Sequence, residues 1–257
     1  MFKKTKLIAI LFIFFNFFIS TASFAYDRFA KVVFLGYFCS GKTTLYNLLT
    51  QNSVGMSTAH TTQIDYSKIE IKVKDKSVCA YLFDTPGEPT QKASVEEFCK
   101  NAHIIFVVVN AKNLIESMNG VWPNKSQNYF ENLLCSIPGL SPNCGIIVVL
   151  TQKENINKNL VTNAFFVKKR ISQYIKDLDE RFSDSGILVD SKYELTLKDT
   201  TGEEAIKHKN NLYYIIVKSL ENYGIENLPK DPDGFREEIK YIQVEKKSES
   251  KSDCKIF

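Results

Sequence analysis

The chain has 257 residues, and 44% of them are hydrophobic, which is enough for a buried core in one large domain or two small ones. Its 33 Lys and Arg against 29 Asp and Glu leave a net charge of +4, too small to indicate a nucleic-acid partner. The 6 cysteines form no C-x-x-C pair, which argues against zinc and, in a chain this long, against a disulfide framework.

Residues 1–25 have the pattern of a targeting segment. A basic start is followed by a largely apolar run from Leu7 to Ile19, and small residues lead to Ala25. This pattern predicts a secretory signal peptide removed after Ala25, so the chain would be secreted or exported. An uncleaved membrane anchor is the alternative, because the apolar run approaches the ~20 residues of a membrane span.

The next element is a phosphate-binding motif. Residues 31–35 are β-branched and aromatic, the stretch Gly36 to Thr43 reads G-x-x-x-x-G-K-[ST], and leucines follow at helical spacing. Strand, glycine loop and helix are the context in which this motif cradles phosphates with backbone N–H groups and a lysine. The residues expected to bind phosphate are Gly36, Cys39, Ser40, Gly41, Lys42, Thr43 and Thr44.

A β-hairpin is predicted downstream of this loop. Apolar residues alternate at 69–73 and at 78–82 around the polar turn 74–76. The second strand runs into Asp84-Thr85-Pro86-Gly87 at the phosphate edge of the sheet. There a carboxylate can reach a Mg²⁺-bound water, and a glycine N–H can sense a terminal phosphate.

The rest of the chain alternates apolar runs with helical patterns. Runs at 104–109, 146–150 and 187–189 predict strands, and helices are predicted at 126–136, 160–182 and 203–223. We therefore predict an α/β P-loop NTPase fold with a mostly parallel six-stranded sheet, one antiparallel edge strand and helices on both faces. The residues expected to face inward on the last helix are Ile206, Leu212, Ile215, Ile216 and Leu220.

These motifs resemble the Ras superfamily of small GTPases, most closely its Rab-like branch. Besides the phosphate loop, Thr61 stands four residues before Asp65-Tyr66, and Asp84 follows Asp65 by nineteen residues. The resemblance implies that Thr43, Thr61 and Asp84 form the Mg²⁺ site. It also implies that Thr61 and Gly87 contact the γ-phosphate.

Two departures from the family pattern bear on hydrolysis. Glu88 stands where the family has a water-positioning glutamine, and Phe38 where many members have a glycine. A carboxylate is repelled by the γ-phosphate, and a ring at this place would crowd an arginine finger. We therefore expect slow GTP hydrolysis, with Thr61, Gly87 and Glu88 as the catalytic residues.

The resemblance also indicates which residues would bind the nucleotide base. The residues 151–154, Thr-Gln-Lys-Glu, stand where the family has N-K-x-D, and Thr196, Leu197 and Lys198 stand near its E-T-S-A-K. The resemblance implies that Thr151, Gln152 and Glu154 border a guanine and that the Leu197 N–H faces its oxygen. GTP or GDP is therefore the expected ligand.

The domain organisation predicted from these patterns is a signal peptide at 1–25, a G domain at 26–224 and a flexible hypervariable tail at 225–257. The tail ends in Cys254-Lys255-Ile256-Phe257, which fits a C-a-a-X prenylation site and a lipid-mediated membrane contact. A signal peptide and a cytosolic lipid site are compatible if the protein is exported and acts at a host cell membrane.

The first interpretation is a Mg²⁺-dependent GTP-binding molecular switch in membrane traffic or signalling. Effector and exchange-factor proteins would read its switch segments. A non-hydrolysing, nucleotide-bound interaction module is the alternative. A P-loop ATPase or kinase is the third interpretation, and no sequence for an acceptor-binding lid supports it.

Overall fold

A computed structural model of the chain describes residues 26–51, 61, 63–88, 92–118, 144–152, 188–190 and 202–232, together with six single positions between 169 and 180. The predicted signal peptide, the predicted helix at 126–136 and the tail after residue 232 lie outside the described residues. Those six positions are helical and lie within the predicted helix at 160–182.

The core of the described structure is a six-stranded sheet with the strand order β2-β3-β1-β4-β5-β6. Five strands are seven to nine residues long, and the sixth has three. The strands are β1 (Arg28–Leu35), β2 (Asp65–Val73), β3 (Lys76–Asp84), β4 (Ile104–Asn110), β5 (Gly145–Thr151) and β6 (Leu188–Asp190).

Strand pairing makes the sheet mostly parallel. β1 pairs in parallel with β3 and β4, and β5 pairs in parallel with β4 and β6. Only β2 runs antiparallel, because a tight turn with Lys74 at φ 53° joins it directly to β3. A mixed sheet with one antiparallel edge pair is consistent with the predicted P-loop GTPase fold.

Helices cover both faces of the sheet. They are α1 (Lys42–Thr50), α2 (Lys92–Cys99), α3 (Ala111–Met118) and α4 (Gly202–Tyr223). Side chains of α1 and α4 share one apolar core with the first face, and side chains of α2 and α3 share a second core with the other. Because β4 and β5 lie between the two cores, their side chains form continuous apolar runs, as the sequence predicted for 104–109 and 146–150.

One charged side chain is buried within the second core. Lys31 of β1 is fully buried, and its ammonium donates a hydrogen bond of 2.9 Å to the main-chain oxygen of Lys100, just after α2. The same ammonium lies 5.6 Å from the ring centre of Phe83 and 5.9 Å from that of Phe98. Lys31 therefore caps the carboxyl end of α2 and stabilises its position against the sheet.

The phase of α4 differs from the sequence prediction at one position. Leu212, Ile215, Ile216 and Leu220 are buried as predicted, whereas Ile206 is 60% exposed. The buried stripe begins instead at Ala205, which lies seven residues before Leu212 and therefore on the same face of the helix. The prediction that Ile206 faces inward is wrong because an alanine takes the inward position beside it.

The packed part of the chain also continues past the predicted boundary at residue 224. A 3₁₀ turn at Ile225–Asn227 follows α4, and Leu228 is buried. The Phe29 N–H then donates to the Pro229 oxygen at 2.9 Å. Gly224, at φ 89°, ends α4, and the chain then returns to β1, so residues 225–229 are packed against the sheet.

Among the residues that the structure describes, no helix has both the length and the apolar character needed to cross a membrane.

The phase of α4 can be tested with two isoleucines of the same helix. Ile216→Ala should lower the free energy of unfolding by about 2–5 kcal/mol, because it leaves a cavity in the core. Ile206→Ala, the matched control, should change it by less than about 0.5 kcal/mol. Urea denaturation followed by circular dichroism measures both, and equal losses would contradict the observed phase.

Candidate functional site

The phosphate loop joins β1 to α1 and passes very close to β4. A Cβ atom added at Gly36 would lie 2.3 Å from the Val108 oxygen and 2.7 Å from the Ser40 hydroxyl oxygen. Only glycine fits at such a contact with main chain. Gly41, at φ 98°, supplies the second turn and leads into α1, whose first residues include Thr43 and Thr44.

The loop contains one unfavourable backbone conformation. Cys39 has φ 57°, in the left-handed region, although its side chain is not that of glycine. Such a conformation costs roughly 1–2 kcal/mol in an L-residue, so surrounding contacts must hold it. The Cys39 side chain is exposed at the rim of the loop.

Lys42 lies under the loop with its ammonium aimed at the loop's carbonyl groups. Its Nζ donates to the Gly36 oxygen at 2.9 Å and to the Tyr37 oxygen at 3.1 Å. Burial lowers the pKa of Lys42 to about 8, and the nearby Asp84 partly opposes that shift. A bound anion would restore the favourable environment of the ammonium that burial removes.

Three side chains from separate elements meet beside Lys42. The Thr43 and Thr61 hydroxyl oxygens share a hydrogen bond of 2.6 Å, and the Thr43 hydroxyl donates to Asp84 Oδ2 at 2.7 Å. The Thr61 hydroxyl donates to the same Oδ2 at 3.4 Å. The structure thus brings together all three residues that the sequence predicted for Mg²⁺, from α1, the segment before β2 and the end of β3.

The Asp84 carboxylate is not fully satisfied by these contacts. It is 1% exposed, and its Oδ1 has no hydrogen-bond partner among the described residues. Burial raises the pKa of Asp84 to about 6, against the opposing effects of the Thr43 hydroxyl and Lys42. A buried orphan oxygen of this kind needs a water or a cation to offset its lost hydration.

These residues fit a magnesium ion. The group offers only hydroxyl and carboxylate oxygens, the hard donors that Mg²⁺ takes together with phosphate oxygens and water. The described part of the chain contains no group of three or more His, Cys, Asp or Glu that could hold a metal. With the ion bound, the Asp84 Oδ1 and the two hydroxyls would face it or its waters.

The segment that follows Asp84 is anchored to the phosphate loop. The Thr85 hydroxyl donates to the buried Phe34 oxygen at 2.7 Å. A Cβ added at Gly87 would lie 2.4 Å from the Phe38 nitrogen, so the two main chains touch. Glu88 comes next and is exposed, with its carboxylate free to face solvent beside the loop.

Two aromatic residues inside the loop were not part of the predicted site. Tyr37 offers its oxygen to Lys42, and its ring lies 4.2 Å from that of Phe38 between centres. Phe38 is half-buried and borders Gly87, where the sequence predicted crowding. The sequence identified Phe38 as unusual, but nothing in it indicated that the neighbouring tyrosine would stack on it.

The end of β5 contacts the loop from the other side. The Thr151 hydroxyl donates to the Ser40 oxygen at 2.5 Å and lies 3.3 Å from the Val109 oxygen. The Gln152 side-chain amide donates to the Cys39 oxygen at 3.1 Å. The sequence placed both residues beside a base, and the contacts seen here are with the phosphate loop.

The other predicted base contacts cannot be located. Glu154, Thr196, Leu197 and Lys198 lie outside the described residues.

Comparison with known proteins supports the same chemistry. A family model described as Ras of Complex, Roc, domain of DAPkinase matches residues 31–139. The match supports a Ras-superfamily GTPase, a Ras-like GTP-binding switch, and it does not support the Rab-like branch in particular. No curated protein matches the chain.

The buried carboxylate predicts an unusual dependence of stability on pH. Because burial raises the pKa of Asp84 from 3.8 to about 6, the folded state binds its proton more tightly than the unfolded state does. The stability from this group is therefore complete below pH 4 and is lost as the pH rises through 6. At 1.36 kcal/mol per pKa unit, the loss is about 3 kcal/mol at most.

Asp84→Asn should remove this loss. Without Mg²⁺ and nucleotide, the variant should be more stable than the native chain at pH 7.5 and similar to it at pH 3.5. Urea titrations at the two pH values measure the difference. Parallel pH profiles for the two proteins would show that the carboxylate is not the cause.

Proposed function

We propose that the chain is a Mg²⁺-dependent GTP-binding switch that hydrolyses GTP slowly. The observation that carries the proposal is the contact of Thr43, Thr61 and Asp84 next to the buried ammonium of Lys42. The sheet topology brings these three segments to one edge, but it does not require them to place oxygen ligands and a lysine there. A nucleotide phosphate chain with its cation explains all four.

The chain's own groups would act as follows. The N–H groups at the start of α1 and the Lys42 ammonium would bind the outer phosphates. Mg²⁺, held by Thr43 and Thr61 and oriented through Asp84, would neutralise charge on the β- and γ-phosphates. The fixed contacts among these residues orient the phosphates before any chemistry begins.

The switch would act through the two segments that border the γ-phosphate. The Thr61 hydroxyl contacts the Thr43 hydroxyl, and the main chain of Gly87 touches that of Phe38 in the phosphate loop. Contacts of these residues with a γ-phosphate would order both segments, and loss of the phosphate would release them. Effector and exchange-factor proteins would bind the ordered or the released form.

The same segments explain why hydrolysis should be slow. Glu88 is exposed directly after Gly87, so a negative charge would stand near the place of the attacking water. Phe38 stands in the loop where many members of the family have a glycine, and its main chain touches that of Gly87. Neither residue can position water as a neutral amide does.

The proposal extends beyond the described residues in three respects. Guanine selectivity through Glu154, Thr196, Leu197 and Lys198 rests on the sequence motif. A Rab-like role in membrane traffic or signalling rests on motif spacing, and the Roc match supports only a Ras-like GTP-binding switch. Export rests on the pattern of residues 1–25, and a lipid on Cys254 rests on the pattern of the last four residues. Together they suggest action at a host membrane. Membrane anchoring through residues 1–25 is the alternative.

A non-hydrolysing module that keeps its nucleotide is the second candidate. Glu88 and Phe38 favour it, because both stand where hydrolysis needs other residues. An ATPase or kinase is the third candidate, and it predicts adenine nucleotide in the site.

The bound nucleotide decides among these candidates. Chromatography of the nucleotide released from gently purified full-length protein should show GDP with a minor amount of GTP. Persistent GTP would support the non-hydrolysing module, and ATP or ADP the third candidate. Lys42→Ala should abolish retention, since it removes the buried ammonium, whereas Lys207→Ala on the exposed face of α4 should not. Full retention by Lys42→Ala would overturn the proposal.

The role of Glu88 can be tested by single-turnover hydrolysis. Glu88→Gln should raise the rate of GTP cleavage by roughly 10- to 100-fold, because a neutral amide orients water without repelling the γ-phosphate. The exposed Glu226→Gln, remote from the loop, serves as the matched control. An unchanged rate in Glu88→Gln would show that this position does not limit hydrolysis.

A further inference from the structure

Two side chains at the end of β5 hold consecutive carbonyl groups of the phosphate loop. The Thr151 hydroxyl binds the Ser40 oxygen, and the Gln152 amide binds the Cys39 oxygen. These contacts join residues more than a hundred positions apart in the chain. The loop is therefore supported from outside as well as by its own glycines.

The contact of Gln152 falls on the one strained residue of the loop. Cys39 has φ 57°, a conformation that glycine adopts freely and that other residues avoid. Its carbonyl oxygen is the acceptor of the Gln152 amide, at 3.1 Å. A hydrogen bond to that carbonyl fixes the orientation of the peptide between Cys39 and Ser40, and thereby the strained turn.

Gln152 has a constrained backbone of its own. Its φ is 56°, also left-handed, so the residue leaves the end of β5 with a sharp turn toward the loop. Thr151 is buried and packs its methyl carbon 3.4 Å from the place where a Cβ on Gly41 would lie. The end of β5 therefore lies against the phosphate loop and contacts it through both Thr151 and Gln152.

We propose that Gln152 is a positioning residue for the phosphate loop, and that it sets phosphate affinity by holding Cys39 in its left-handed conformation. The inference rests on the proposed function, because it assumes that this loop binds a phosphate chain. It differs from the sequence prediction, in which Gln152 borders the base. Loss of a base contact would weaken only ligands that have a base, whereas loss of a loop contact would weaken every ligand that has phosphates.

Inorganic triphosphate separates the two roles because it has phosphates and no base. Displacement of fluorescent GDP from the full-length protein, in Mg²⁺, measures its affinity. Gln152→Ala should weaken binding of GDP and of inorganic triphosphate by the same factor, about five- to tenfold, the effect of one lost hydrogen bond. Gln152→Lys keeps a donor and should bind both ligands like the native chain.

The Gln152→Ala substitution in a Cys39→Gly background tests whether Gln152 acts through the strained residue. Glycine adopts φ 57° without support, so the loop should no longer depend on the amide. In this background Gln152→Ala should weaken triphosphate binding less than about twofold. Gln173→Ala, an exposed glutamine that hydrogen-bonds Asp177, is the matched control and should have no effect.

Amide hydrogen exchange of residues 38–42 gives a second readout that needs no ligand. Exchange should be faster in Gln152→Ala and return to the native rate in the double variant with Cys39→Gly. Weakened binding of GDP with unchanged binding of triphosphate would overturn the inference in favour of a base contact. The inference would also be overturned if Gln152→Ala weakened triphosphate binding equally with cysteine and with glycine at position 39. Unchanged amide hydrogen exchange of residues 38–42 in Gln152→Ala would overturn it as well.

Binding by the native chain distinguishes failure of the proposed function from failure of this inference. If the native chain bound neither GDP nor inorganic triphosphate, the proposed function would fall and this inference with it. If the native chain bound both and the substitutions at 152 had none of the expected effects, only the inference would fall.

Discussion

A buried carboxylate and a buried ammonium face the same small space at the carboxyl edge of the sheet. Asp84 is 1% exposed and Lys42 is 5% exposed. Burial raises the pKa of Asp84 and lowers the pKa of Lys42, so it favours the neutral form of each side chain. Such a pair is costly to maintain without ligands, because each charge has lost its hydration. A cation beside Asp84 and an anion beside Lys42 would offset both costs, so the site is built for a charged ligand with its own counterion.

The parallel arrangement of the strands creates this space. The carboxyl ends of β1, β3, β4 and β5 lie at one edge of the sheet, and each ends in a residue of the site or its support. β1 leads into the phosphate loop, β3 ends at Asp84, the Val108 oxygen of β4 fixes Gly36, and Thr151 ends β5. Ligand sites in parallel α/β sheets form at this edge for the same topological reason.

The loop combines a phosphate-binding motif with two features that the motif does not require. Gly36 and Gly41 give the backbone the freedom that phosphate binding needs, but Cys39 is strained and the main chain of Phe38 lies against that of Gly87. Glu88 adds an exposed carboxylate directly after Gly87. These features agree with the proposed switch, whose lifetime in the bound state would matter more than its rate of catalysis.

The sequence by itself determined the phosphate loop, the hairpin and the buried strands, because these depend on local patterns. The grouping of Thr43, Thr61 and Asp84 followed from the resemblance to the small GTPases. The same resemblance marked Glu88 and Phe38 as departures. The tertiary structure decided the inward position of Ala205 over Ile206, the contacts of residues 228 and 229 with β1, and the contacts of Thr151 and Gln152 with the loop. Those features depend on which distant main-chain groups meet, and a one-dimensional pattern does not contain that information.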